Sequence, residues 1–144
     1  MANAAKLAFD TYKVFVPAEL ALSQLAAEGG IGPSASNPKS KPIRTKNPFN
    51  VGNTDNGKNE FHSSVESGVQ RYYDLIARDY LVGGKTASDL LNNFVNKNGN
   101  RYASNRKYES VLKTIATQAN SLAQPIVASA AKLGASSSSS STIA

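Results

Sequence analysis

Apolar side chains recur at intervals of three and four residues over most of the chain, which is the spacing of the buried face of an amphipathic helix. The first series predicts a helix near the N-terminus, formed around Ala4, Leu7, Ala8, Tyr12 and Phe15. The next series, residues 18–27, is rich in alanine and leucine, so we expect a nearly buried helix that starts at Pro17. Glycines follow directly, and Glu28 therefore stands where an apolar helix ends.

Three more helices are predicted in the second half of the chain. A Ser-x-x-Glu capping box opens the series at 63–81, and a Thr-x-x-Asp pair opens a shorter one at 86–98. The last series starts near Asn105, has Tyr108 on its expected core face and is interrupted at Pro125. The pattern thus indicates at least five helices.

The composition changes twice between the two sets of helices. Residues 33–48 contain four prolines among Ser, Asn and Lys, which predicts a basic loop. Residues 47–62 carry alternating apolar positions and an Asn-Gly pair, the signal of a type I′ turn, and so predict a small β-hairpin. Asp55 and Glu60 flank this turn. Each is interpreted either as a second carboxylate facing a cleft or as a turn or strand-edge residue.

Length and composition indicate one domain, residues 1–133, followed by a flexible tail, residues 134–144. A chain of 144 residues suits a single core. Six consecutive serines in the tail bury too little apolar surface to offset the entropy of ordering them, unless a partner orders the tail. There is no cysteine and His62 is the only histidine, so we predict no disulfide, metal site or cofactor.

The net charge of +6 is carried partly by two clusters of basic residues that contain no acid. They are Lys39, Lys41, Arg44 and Lys46, and Lys97, Arg101, Arg106 and Lys107. A cationic surface attracts nucleic acid and the anionic polymers of a bacterial wall alike. Charge alone leaves both partners open, together with a plain solvated surface.

No apolar stretch reaches the length of a signal-peptide core or of a membrane-spanning helix. We therefore expect no export signal and no membrane span in this sequence. A protein of this kind that acts on the cell wall would be released by lysis or delivered inside a virus particle, where the tail would contact other virion proteins.

Four short segments resemble, in order, the motifs of one family of wall-degrading enzymes. They are EGGIG at 28–32, NPFNVG at 47–52, FHSSVESGVQRYYDLI at 61–76 and RYASNRKYESVLKTI at 101–115. The first, second and fourth are similar to the E-S-x-W-G, N-L-F-G-I-K and Y-A-T-D-x-x-Y-x-x-K-V motifs of the glucosaminidase-domain peptidoglycan hydrolases, and the third to their aromatic, Ser-rich entry into a helix. The chain departs from the first motif at Gly29, where the family has Ser, and at Ile31, where it has an aromatic residue.

That resemblance implies an α+β, mostly helical, lysozyme-like fold, in which a helical lobe faces a small β-hairpin lobe across a glycan-binding groove. It also implies a peptidoglycan glycosidase, either an N-acetylglucosaminidase or a lytic transglycosylase. Glu28 is then the general acid, kept neutral by apolar neighbours. Tyr102 lies in the cleft, where it orients the N-acetyl group or stabilises charge, and Asn47, Phe49 and Ile31 line the groove.

Small size, the missing export signal and the Ser-rich tail further indicate a phage-encoded or virion-carried enzyme. Two other functions stay open: a basic virion structural or nucleic-acid-binding protein, and a wall-binding relic that has lost turnover. The fate of the sugar cation is open as well, because a protein carboxylate, an activated water or a group of the substrate itself can attack it.

Overall fold

The protein is mainly helical in the residues that the structure, a computed structural model, describes: 1–30, 36–52 and 59–118. The helices are α1 (Ala2–Tyr12), α2 (Ala18–Ala27), α3 (Lys41–Arg44), α4 (Val65–Leu75), α5 (Ala87–Asn92) and α6, which begins at residue 108 and continues through 118. A π-helical turn, Ile76–Tyr80, extends α4, and a 3-10 turn, Val82–Gly84, follows it. None of the helices in these ranges is long and apolar enough to cross a membrane.

Capping explains where the helices begin and end. The Thr86 hydroxyl accepts from the Asp89 N–H at 3.2 Å and the Asp89 carboxylate accepts from the Thr86 N–H at 2.8 Å, which confirms the capping box predicted for α5. At α4 the cap is Ser64, whose hydroxyl accepts from the Ser67 N–H, and not Ser63. The predicted helices therefore form with starts shifted by up to three residues, but two of them end early. Helix α1 ends at Tyr12, before Phe15, and α5 ends at Asn92, so Val95, which was predicted within it, instead forms an isolated antiparallel bridge with Arg101.

The Pro-rich segment 33–48 contains a helix that the sequence did not predict. Within it α3 begins one residue before Pro42, and a proline is tolerated in a first helical turn because its N–H position has no intrahelical partner. The Thr45 hydroxyl donates to the Lys41 carbonyl at 2.7 Å and closes the turn. Lys41 and Arg44 therefore lie on a short helix, and Lys39 and Lys46 lie in turns on either side of it.

The β-hairpin predicted at 47–62 is not formed by the described residues of that segment, since 47–52 make turns and 59–62 form no strand. The two arms are joined instead by the Asn47 amide, which donates to the Val51 and Glu60 carbonyls at 2.7 and 3.3 Å and accepts from the Val51 N–H. The predicted Asn-Gly turn, like the tail at 134–144, lies outside the described residues. The described part of the chain is thus α-rich, and the two-lobed arrangement stays a prediction.

Two glycines hold the 46–50 turn between α4 and the end of α2. A Cβ atom on Gly68 of α4 would stand 2.2 Å from the Lys46 carbonyl oxygen, and one on Gly30 would stand 2.5 Å from the Pro48 carbonyl oxygen. Helix α1 packs on α4 and on the π-helical turn. The largest fully buried side chains are Tyr72, Tyr73, Phe49, Phe94, Leu20, Ile76, Leu90 and Leu112.

Candidate active site

Glu28 is the C-cap residue of α2, and a Schellman motif fixes its place. Gly29 follows with φ 78°, a left-handed conformation that favours glycine over the serine of the family pattern. The Gly29 N–H donates to the Ala26 carbonyl at 3.2 Å and the Gly30 N–H donates to the Leu25 carbonyl at 2.9 Å. These two bonds satisfy the last carbonyls of the helix and turn the chain away.

Two distant residues contact the Glu28 carboxyl group. The Tyr108 hydroxyl, at the start of α6, donates to Glu28 Oε1 at 3.3 Å. The side chain of Asn50 is a second hydrogen-bond partner, contributed by the turn that Gly30 lets approach. The fold therefore assembles this site from three separate parts of the chain.

The electrostatics of Glu28 favour its neutral form. Burial raises the pKa of its carboxyl above the ordinary value, and the hydrogen bonds from Tyr108 and Asn50 oppose this with a smaller effect. The negative end of the α2 dipole also disfavours a carboxylate at this position. No lysine or arginine pairs with Glu28 in the described part of the chain. The surroundings of Glu28 therefore favour its protonated form more than those of an exposed glutamate do.

A buried amide lies directly behind the site. Gln24, one turn before Glu28 on α2, is 0% exposed, and its Nε2 donates to the Tyr108 hydroxyl oxygen at 3.2 Å. Its Oε1 accepts from the Tyr72 hydroxyl. The Tyr72 ring is in turn stacked on Phe49, with ring centroids 3.7 Å apart and nearly parallel planes. Hydrogen bonds thus run from the aromatic core to Glu28.

Tyr102 lies beside this network. Its ring stacks on that of Tyr108, with centroids 5.7 Å apart and an interplanar angle of 14°. Burial raises the pKa of the Tyr102 hydroxyl well above its ordinary value, and the nearby Tyr108 and Glu28 raise it further. The hydroxyl therefore stays protonated at neutral pH and is able to donate a hydrogen bond. The structure brings Glu28 and Tyr102 into one neighbourhood.

Asn47 and Phe49 have no exposed surface, which corrects the expectation that they line the groove. The Asn47 amide is bonded to main-chain atoms of Val51 and Glu60, and the Phe49 ring is covered by Tyr72. Both residues support the site from within the core. Ile31, the third predicted groove residue, lies outside the described residues.

The second-carboxylate predictions have different outcomes. Glu60 Oε1 accepts from Arg71 Nε at 3.0 Å, and Glu60 Oε2 is 3.9 Å from His62 Nε2. The bond to Arg71 ties residue 60 to α4, so this carboxylate is engaged in an ion pair of the fold. Asp55 lies outside the described residues, so its assignment stays a prediction.

Gln24, Asn50 and Tyr108 belong to the site, and the sequence interpretation did not include them. Tyr108 is buried as expected, yet its hydroxyl points to Glu28. A signal for Gln24 was present: it precedes Glu28 by four residues, so it shares a helix face with it and is a polar residue on an otherwise apolar face. No local pattern marks Asn50, because its role depends on the packing of a turn.

An apolar groove of about 620 Å³ lies on the surface formed by α1 and α2, apart from Glu28. Its lining includes Phe9, Phe15 and Leu22 and no carboxylate. In the described ranges no three of the residues His, Cys, Asp and Glu are grouped closely enough to hold a metal ion.

Comparison of the chain with protein-family models, with curated proteins and with solved structures finds no match.

Proposed function

We propose that this chain is a peptidoglycan-cleaving glycosidase that acts on β-1,4 bonds between N-acetylglucosamine and N-acetylmuramic acid, with Glu28 as general acid. The observation that carries the proposal is the environment of Glu28: a partly buried carboxyl at the C-terminal end of a helix, its pKa raised, whose hydrogen-bond donors among the described residues are neutral. The motif resemblance supports it, because residues from three of the four segments lie around this carboxyl.

Cleavage of a glycosidic bond requires a proton on the departing oxygen while an oxocarbenium-like centre develops. Burial raises the pKa of Glu28, which favours the protonated form that a general acid needs when substrate arrives. After the transfer, the hydroxyl of Tyr108 and the amide of Asn50 stabilise the carboxylate that is left. The same surroundings therefore serve both states of the acid.

For the second half of the reaction the proposal favours attack by the substrate itself. Glu60 is engaged by Arg71, whereas closure by an N-acetyl or hydroxyl group of the sugar needs only one protein carboxylate. Tyr102, protonated and next to Tyr108, is placed in this proposal to orient the N-acetyl group. Both an N-acetylglucosaminidase and a lytic transglycosylase fit this scheme.

The test is digestion of purified peptidoglycan with wild type, Glu28→Gln and Glu19→Gln, which changes an exposed glutamate at the other end of α2. We expect Glu28→Gln to lower product release by roughly 10²- to 10⁴-fold and Glu19→Gln to leave it unchanged. No release by wild type contradicts the function, and full activity of Glu28→Gln contradicts the site.

Mass spectrometry of the released ends identifies the reaction. Reducing N-acetylglucosamine ends indicate a glucosaminidase, reducing N-acetylmuramic acid ends a muramidase, and 1,6-anhydro ends a transglycosylase. The proposal extends to a phage enzyme carried in the particle, with the tail as a contact for other virion proteins. Absence of the protein from purified particles would remove that extension.

Nucleic-acid binding is the second candidate function, and one observation favours it. Lys39 and Arg44 are exposed and Lys41 is half-buried on and next to α3, and no acid pairs with them in the described residues. Such a segment suits a phosphate backbone as well as an anionic wall polymer.

A further inference from the structure

Three successive hydrogen bonds lead from the core to the candidate acid. The Tyr72 hydroxyl donates to Gln24 Oε1, Gln24 Nε2 donates to the Tyr108 hydroxyl oxygen at 3.2 Å, and the Tyr108 hydroxyl donates to Glu28 Oε1 at 3.3 Å. Gln24 and Tyr72 are both 0% exposed, so water does not compete for these groups.

The direction of this chain follows from counting protons. A tyrosine hydroxyl has one proton, whereas an amide has an accepting oxygen and a donating nitrogen. Gln24 turns its nitrogen toward Tyr108, because its oxygen accepts from Tyr72. The Tyr108 hydroxyl therefore has no acceptor at Gln24, and it donates its single proton to the carboxyl of Glu28.

We propose that Gln24 is a positioning residue of the site: its buried amide fixes Tyr108 as the hydrogen-bond donor to Glu28, and Tyr72 holds that amide in its orientation. As a contribution to catalysis this role rests on the proposed function. The contacts themselves need no substrate, so the role is measurable in the free protein.

Other side chains at position 24 do not reproduce this arrangement. A methionine has similar length but leaves the Tyr72 hydroxyl and the acceptor side of Tyr108 without a partner in the core. An ionised glutamate would accept from both tyrosines and draw the Tyr108 proton away from Glu28. Of these three side chains, only the neutral amide of glutamine donates to one tyrosine and accepts from the other.

The experiment is an NMR titration of the Glu28 side-chain carboxyl carbon in the full chain. It compares wild type, Gln24→Met, Tyr108→Phe and the double variant. Loss of a donor to the carboxylate raises the pKa of Glu28, so we expect a rise of roughly one unit for Tyr108→Phe and roughly half a unit for Gln24→Met. Because Gln24 acts through Tyr108, we expect Gln24→Met to add nothing in the Tyr108→Phe background.

The matched control is Ser23→Ala, which removes a buried hydroxyl of α2 that donates to the Leu20 carbonyl of the same helix. It is expected to leave the Glu28 pKa unchanged. An unchanged pKa in Gln24→Met, or an equal rise in both backgrounds, overturns the proposal.

If Gln24→Met does not fold, Tyr72→Phe replaces it, since it keeps the ring stacked on Phe49 and removes only the donor to Gln24. We expect the same rise in the pKa of Glu28 and the same dependence on Tyr108. An unchanged pKa in Tyr72→Phe overturns the proposal. Failure of peptidoglycan cleavage is a separate result: it removes the proposed function and leaves the titration to decide the role of Gln24.

Discussion

The charged groups around Glu28 and those around Glu109 are arranged in opposite ways. Glu109, 8% exposed, accepts from Arg101 at 2.8 and 2.6 Å and from the Phe94 N–H at 3.1 Å, and these bonds lower the pKa of its carboxyl to about 2. Glu28 meets neutral donors and the negative end of a helix, and its pKa is raised. Partner charge therefore distinguishes the structural carboxylate from the candidate acid.

The Glu109 region also supports the Glu28 region. Arg101, paired with Glu109, donates in addition to the Ala103 and Asn105 carbonyls at 3.1 and 3.2 Å. The segment fixed in this way contains Tyr102 and leads directly into Tyr108. A carboxylate paired with Arg101 thus holds the loop that brings Tyr102 and Tyr108 to Glu28, an acid with which no cation pairs in the described part of the chain.

The largest expected effect comes from removing the cation of the paired region. Arg101→Met leaves Glu109 without the guanidinium that binds it and removes the bonds of Arg101 to the Ala103 and Asn105 carbonyls, so we expect the free energy of unfolding to fall by more than in Glu109→Gln. Denaturant unfolding measures it, with Arg106→Met, an exposed neighbour, as control. An effect no larger than that of the control would show that the pair is not structural.

Glu109→Gln is expected to lower the free energy of unfolding by about 2 kcal/mol at pH 7. The folded pKa of about 2 lies below the ordinary value of 4.5. The stabilisation by ionised Glu109 is therefore complete above pH 4.5 and is lost as the pH falls through the folded pKa. Unfolding measured from pH 7 to pH 2 should show the two proteins converging at the acid end, and a constant difference would contradict this account.

Glu28→Gln is expected to have the opposite sign and a smaller size. The pKa of Glu28 is raised in the folded state, so its contribution is most favourable below the unfolded pKa and is lost as the pH rises through the folded one. The glutamine amide does not ionise, so the variant does not lose this stability as the pH rises. We expect a gain of about 1 kcal/mol at pH 7 that disappears in acid, measured by denaturant unfolding. A variant less stable than wild type at pH 7 would contradict the comparison.

The sequence predicted this site as far as local signals reach. The alanine and leucine run of 18–27 and the glycines after it indicated a helix ending at Glu28, and Gly29 does provide the left-handed residue of the cap. The partners are not local: Tyr108 is 80 residues from Glu28 and 84 from Gln24. Packing selects which buried tyrosine reaches the acid, and no periodicity carries that information.

The segment of the predicted hairpin shows how a correct burial signal can belong to turns in the described residues. Phe49 and Val51 are 0% and 3% exposed, so their alternation did indicate two buried side chains. They lie in turns because the Asn47 side chain makes the bonds that a neighbouring strand would otherwise supply. The sequence pattern is the same whether a neighbouring strand or a side-chain amide supplies these hydrogen bonds. Tertiary contacts therefore override the strand preference of this segment.

The smallest expected effects concern the two clusters of basic residues. Lys97 and Arg101 of the second basic cluster are paired with Asp79 and Glu109 at 3.3 and 2.6 Å, whereas no acid in the described residues pairs with Lys39, Lys41 or Arg44. Charges without a protein partner remain available to a ligand. We therefore expect that the triple change of Lys39, Lys41 and Arg44 to Gln alters the free energy of unfolding by less than about 0.5 kcal/mol.

The same triple variant is expected to bind insoluble peptidoglycan carrying anionic polymers roughly threefold to tenfold less tightly at low salt. Arg106, Lys107 and Lys113 changed to Gln provide the control, since this removes the same charge from exposed positions at α6. Equal losses in the two variants would mean that only net charge matters. Wild type is also tested for DNA binding that weakens with added salt. If that binding is lost in the 39–44 variant and kept in the control, the nucleic-acid function is favoured, because these cations would then bind a phosphate backbone and not a glycan beside Glu28.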